Sequence, residues 1–271
     1  MNNFELQDIY IYPIKSLGGI SVQQAEVQET GLQYDRRWML TDKAGNFISQ
    51  RTYSQMSLLQ ANITLNGLII THKKSLFTPL NIPFELGTGR KVSVSIWEDV
   101  CTALEVSVAA NEWFSDALKM QVQLVYMPAI TKRLVDANYA KNKEIVSFAD
   151  AYPFMMIGQS SLDDLNSRLT QPILMNRFRP NFVFKGGPPY CEDTMHTFRI
   201  SDVTFSAIRH CSRCVLTTID QEHATKGKEP LKTLAAYRTT ENKIMFGQNL
   251  LCTDTGVVKV GDRLTVKEWK E

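Results

Sequence analysis

The chain has 271 residues, 44% of them apolar and 21% charged, enough to bury one large or two modest cores. Its 30 basic and 28 acidic side chains are mixed along the chain and leave a formal charge of +2, which excludes the broad positive field of a general nucleic-acid or membrane binder. An anion held by such a chain is gripped locally, by residues the fold gathers.

The first residues, MNNFELQDIYIYPIKS, are acidic where a signal peptide is basic, and no apolar run approaches the roughly 18 residues of a membrane helix. The expectation is a cytoplasmic protein whose five cysteines, Cys101, Cys191, Cys211, Cys214 and Cys252, stay reduced. Alternating apolar and polar residues in DIYIYPIKS, RWMLTD, LLQANITLNGLII and KVSVSIWE predict strands through the first hundred residues, with DKAGN (42–46) as a hairpin loop. Val106, Ala109, Ala110, Trp113, Phe114, Ala117 and Leu118 recur at helical spacing and predict an amphipathic helix. A second helix is written in QSSLDDLNSRL, with Ser160 or Ser161 as cap, Leu162, Leu165 and Leu169 as buried stripe, and Pro172 as its end. Strand patterns return in NFVFKGG, FRISDVTFSAIR, CVLTTID and VVKVGDRLTV, around a short helix, EPLKTLAAYR, that Pro230 can open. The pattern is two β-rich lobes in close contact, joined near residues 106–120.

Chemistry concentrates in RHCSRCVLTTI (209–219), where Cys211 and Cys214 stand three apart. A structural zinc site needs four ligands, yet the other cysteines form no second pair and the four histidines lie singly. A thioredoxin-like pair opens a helix, whereas CSRC runs into the β-branched VLTTI. The plain alternative is two cysteines filling space beside a strand. Arg209 and Arg213 weigh towards one reactive thiolate, because a neighbouring guanidinium favours the anionic sulfur. Lys15-Ser16 in YPIKSLGG, Arg36-Arg37 in YDRRW, and Arg177 and Arg179 in RFRPN add groups suited to clamping a phosphate or other compact anion. Each alone reads more readily as a solvated surface charge.

Taken in order, YPIKSLGG, GLQYDRRWML, FADAYPFMMIGQSSLDDLNSRL, NRFRPNFVF, CSRCVLTTID and FGQNLL resemble the MOSC superfamily, the molybdenum-cofactor domains of cofactor sulfurases and of enzymes that reduce amidoximes and N-hydroxylated bases. The resemblance covers nearly the whole chain. It implies an α+β, β-rich fold, with a MOSC N-terminal β-barrel-type domain over residues 1–120 packed against a MOSC β-barrel domain with a few helices over residues 121–271. It also implies a molybdenum cofactor, Mo-molybdopterin, with Cys214 as the metal's thiolate ligand and catalytic residue and Cys211 as a neighbour. By the same matching, Lys15, Ser16, Arg36, Ser161, Arg179, Asn181, Ser212 and Arg213 hold the pterin and its phosphate. A soft thiolate suits a metal already bound by a dithiolene.

The implied activity is reduction of small N-hydroxylated compounds, N–OH becoming N–H plus water. Electrons would come from a separate electron-transfer protein and reductase, since the chain has neither an iron–sulfur cysteine cluster nor a Gly-rich dinucleotide fingerprint. Where mitochondrial members carry an aspartate near the metal, this chain has Gln159. The alternatives are a non-catalytic carrier of the cofactor or its sulfur, without the pyridoxal-dependent domain of fused sulfurases, and a thiol redox protein using Cys211 and Cys214 as a pair.

Overall fold

A computed structural model describes residues 3–85, 89–140 and 142–270. Seven strands close into a barrel: Phe154–Gly158, Phe182–Lys185, Phe4–Ile11, Arg263–Trp269, Met195–Ile200, Val203–Ser212 and Lys243–Cys252, the last returning to the first through Phe154↔Leu250 and Met155↔Asn249. Only the first two run parallel, Met156 lying opposite Phe182. Their apolar faces fill the inside, where the buried Phe205 meets Phe154 and Phe182 edge-on at 5.5 and 5.3 Å between ring centroids. Such edge-to-face pairs suit the ring quadrupoles, and each buried ring contributes on the order of 2 kcal/mol by leaving water.

The segment between residues 38 and 126 builds the second lobe. Trp38–Thr41, Gln123–Tyr126, Asp99–Glu105 and Lys91–Ile96 form one sheet, and Leu59–Ile63, Gly67–His72 and Leu80–Pro83 another. The helix expected from apolar spacing is Val108–Leu118: the Ser107 side chain accepts from Ala110 N, and Ala110, Phe114 and Leu118 are buried against Trp38, Leu40 and Leu59. Residues 12–19 tie the lobes together, with Lys15 N donating to Trp38 O and Gly18 N to Leu59 O. Among the described residues no helix is long and apolar enough to cross a membrane.

Two local expectations are corrected. The VLTT of CVLTTID is a 3-10 turn, Val215–Thr218, because the hydroxyls of Thr217 and Thr218 donate to the carbonyls of Cys214 and Val215 and so satisfy acceptors a ladder would have used. The helix Gln159–Ser167 forms, but its N-cap is Gly158 with no side-chain cap. Ser161 is instead engaged with the buried Glu192.

Candidate cofactor site

The seam between the lobes opens into a cavity of about 560 Å³. Eight lysine and arginine side chains line it against two carboxylates, Asp136 and Asp150, so its low-dielectric walls favour an anion. Lys15, Ser16, Arg36, Arg179, Asn181, Ser212, Arg213 and Cys214 all line this one space.

One wall is built on Tyr12, whose buried ring carries the guanidinium carbons of Arg36 and Arg179 at 4.2 and 4.3 Å from its centroid. The buried Asp35 accepts from Arg36 and from Tyr12 N. Burial pushes its carboxyl up, and Arg36 opposes that. Arg36 also donates to Arg179 O, and Arg179 donates to Leu17 O at 2.6 Å. Burial lowers the Arg179 guanidinium to about 10, which leaves it charged at neutral pH. Ser16, Arg36 and Arg179 have φ of 67°, 50° and 56°. Left-handed backbone costs an L-residue about 1–2 kcal/mol, and such strain gathers where side chains must be aimed at a ligand.

The opposite wall carries a chain of charges. Lys15 Nζ donates to Phe148 O at 2.8 Å and Asp150 Oδ1 at 2.5 Å; Arg51 donates to Asp150 Oδ2 at 2.6 Å, and its Nε lies 3.2 Å from Cys214 Sγ. Burial alone would raise the Asp150 carboxyl, yet Lys15 and Arg51 hold it well below the usual carboxylate range. The guanidinium beside the Cys214 sulfur is therefore Arg51. Arg213 spends its donors on Phe246 O, Phe178 O and Met155 Sδ. Cys214 is on extended backbone, where consecutive side chains point to opposite sides.

Asn181 is fixed in the wall, accepting from Met155 N and donating to Tyr10 O. Ser161 is not brought to the cavity: its hydroxyl bonds Glu192 Oε2 and accepts from Tyr190 N. Gln159 also lies elsewhere, lining a second cavity and donating to Asp163. Arg51, Asp150 and Trp97 complete the site and were missed by sequence reasoning. Asp150 falls in the FADAYPF motif, whereas nothing in the spacing marks Arg51 or Trp97.

Two expected results follow from these contacts. Ser161→Ala should leave sulfate affinity unchanged and cost about 1–3 kcal/mol in urea unfolding, because the buried Glu192 loses a donor. Weakened sulfate binding without lost stability would return Ser161 to the cavity wall. Lys15, lowered by burial to about 8 despite Asp150, should make sulfate affinity fall as pH rises from 7 to 9, by up to about tenfold, in step with its protonated fraction. Lys15→Arg should flatten that profile, since a guanidinium keeps its charge. Stability moves the other way: between about 8 and its ordinary 10.5 the unfolded chain holds a proton that the folded chain has released, so this group adds stability as pH climbs through that window.

Comparison with known families agrees with this architecture. Residues 3–121 match the MOSC N-terminal beta barrel domain and residues 143–265 the MOSC domain. The chain belongs to the MOSC family. This MOSC protein is 32% identical to mitochondrial amidoxime-reducing component 1 of Mus musculus, over 94% of its own length and 79% of the relative's. The Homo sapiens protein of the same name is 31% identical over 94% and 80%. A molybdenum cofactor sulfurase of Arabidopsis thaliana is 31% identical over 89% of this MOSC protein and 32% of the plant protein.

Proposed function

We propose that this MOSC protein binds a molybdenum cofactor in the inter-lobe cavity and reduces small N-hydroxylated compounds, N–OH becoming N–H plus water, with electrons from a separate carrier protein in the cytoplasm. The observation that carries the reading is a soft sulfur donor, Cys214 Sγ, contacted by Arg51 and facing a cavity walled by eight cations. A metal on a phosphorylated dithiolene needs such a set: one thiolate for the metal and a cationic grip for the phosphate. Cys214 would hold the metal, with Lys15, Ser16, Arg36, Arg179, Asn181, Ser212 and Arg213 around the pterin and phosphate. In this reading residues 1–120 and 121–271 both contribute to each wall, Arg179 joining Tyr12 and Arg36 on one and Lys15 and Arg51 joining Asp150 and Cys214 on the other. When bound, the cofactor supplies the two-electron reduction.

The chain's own residues grip and orient. Arg36 and Arg179, stacked on Tyr12 and held by backbone carbonyls, keep fixed positive charge for a phosphate. Arg51, tied to Asp150, keeps a cation beside the Cys214 sulfur.

The deciding experiment is metal and pterin analysis of freshly purified protein, followed by assay of benzamidoxime reduction with reduced viologen. Near-stoichiometric molybdenum and turnover with viologen, but none with NADH or NADPH alone, is the expected outcome. Molybdenum-free, inactive protein would overturn the reading. A loaded protein inactive with every donor would point instead to a non-catalytic carrier of the cofactor or its sulfur.

A further inference from the structure

Trp97 is placed against both local geometry and solvent. It occupies the first position of the two-residue loop between Lys91–Ile96 and Asp99–Glu105, where Ile96 pairs directly with Asp99. Its φ is 55°. Two-residue hairpins take Gly, Asn or Asp at that position because a side chain on left-handed backbone crowds its own carbonyl. Yet the residue is the largest side chain available, and 52% of it remains exposed. Neither turn chemistry nor burial accounts for an indole here.

Its neighbours do. Trp97 lines the cavity; the Arg51 guanidinium lies over the ring, 4.7 Å from its centroid, and Phe47 meets it edge-on at 5.1 Å. The same Arg51 reaches Cys214 Sγ with its Nε. The indole is thus braced on a tight hairpin one residue removed from the sulfur, half of it exposed and part of it lining the cavity. An exposed aromatic face binds planar conjugated groups by stacking, largely without regard to their substituents.

We propose that Trp97 is the specificity wall of the site, selecting N-hydroxylated compounds whose N–OH carbon belongs to a planar conjugated system, such as aryl amidoximes and N-hydroxylated nucleobases, over aliphatic hydroxylamines. The ligand chemistry rests on the function proposed above, while the wall itself rests on the position of Trp97. Arg51 is a positioning residue for it, tying the ring to the Cys214 side of the cavity.

The test is calorimetric binding to the protein as purified, with benzamidoxime as planar probe and N,N-diethylhydroxylamine as aliphatic control. Trp97→Ala should weaken benzamidoxime about tenfold, the worth of one stacked aromatic contact, and leave the control within about twofold. Trp97→Phe should keep most of the planar affinity, and Trp97→Gly should melt no lower than the parent because it relieves the turn. Equal losses for both probes, no loss for benzamidoxime, no measurable benzamidoxime binding by the parent, or a melting drop of about 4 °C or more in Trp97→Gly would each overturn the proposal. Because binding rather than turnover is read, a protein that binds benzamidoxime through Trp97 and never reduces it refutes the proposed reaction alone.

Discussion

Cys214→Ser should abolish reduction of N-hydroxylated substrates and strip the protein of most of its molybdenum, whereas Cys211→Ala should keep both. The two thiols sit in different surroundings. The Cys214 sulfur lies at the cavity beside the Arg51 guanidinium. Cys211 borders the same cavity but is partly buried against the cluster around Met155, Ile157 and Phe246, and that burial pushes its thiol up. A thiol whose deprotonation is made harder is a poorer metal ligand and a poorer nucleophile. Loss of a supporting contact around a metal ligand typically costs about 10–100-fold, so loss of the ligand itself should exceed that range in turnover with reduced viologen. Equal damage from Cys211→Ala would instead identify a dithiol mechanism, and a fully active Cys214→Ser would remove the metal assignment altogether.

Asp150→Asn should have the largest effect on stability among the cavity substitutions. One carboxylate answers two cations, Lys15 with 6% of its side chain exposed and Arg51 with 21%. Breaking a buried pair from one side costs about 3–5 kcal/mol and an exposed one about 0–1, so the half-exposed Asp150 should cost about 2 kcal/mol, read as a melting point lower by roughly 4–8 °C. The acid limb of the stability curve tests the cause. Because the folded carboxyl is held below its ordinary 3.8, its contribution is present above that value and is lost as pH falls below it, the unfolded chain taking up the proton first. The Asn variant should therefore show a flatter acid limb. An unchanged limb would mean that the Lys15–Asp150–Arg51 chain is not what steadies this wall.

Regular elements were legible because periodicity is local. The amphipathic spacing from Val106 to Leu118 becomes the Val108–Leu118 helix, and the alternating patterns of KVSVSIWE and NFVFKGG become Lys91–Ile96 and Phe182–Lys185. The cationic wall was legible only through the order of motifs, since each of its lysines and arginines reads alone as a surface charge. What escaped depends on distance in the chain: Arg51 reaches Cys214 across 163 positions, and no pattern around residue 51 announces it. VLTT escaped because its β-branched residues favour a strand by packing, while its two hydroxyls favour a turn by hydrogen bonding. Ser161 matched a motif and suited a helix cap, but the buried Glu192, 31 positions away, is the partner that claims it.

The order of strands around the barrel sets a timetable for the site. Phe4–Ile11 lies between Phe182–Lys185 and Arg263–Trp269, with Glu5 opposite both Lys185 and Arg263. Phe4–Ile11 keeps an open edge until Arg263–Trp269 has been made and pairs with it, and such long-range pairing is slow because its loop-closure entropy precedes its reward. Lys15 and Ser16 follow Phe4–Ile11 after Tyr12-Pro13-Ile14, and Arg213 and Cys214 directly follow Val203–Ser212. The grip on an anion therefore depends on pairing between strands far apart in the chain, and no single stretch of the sequence can form it alone.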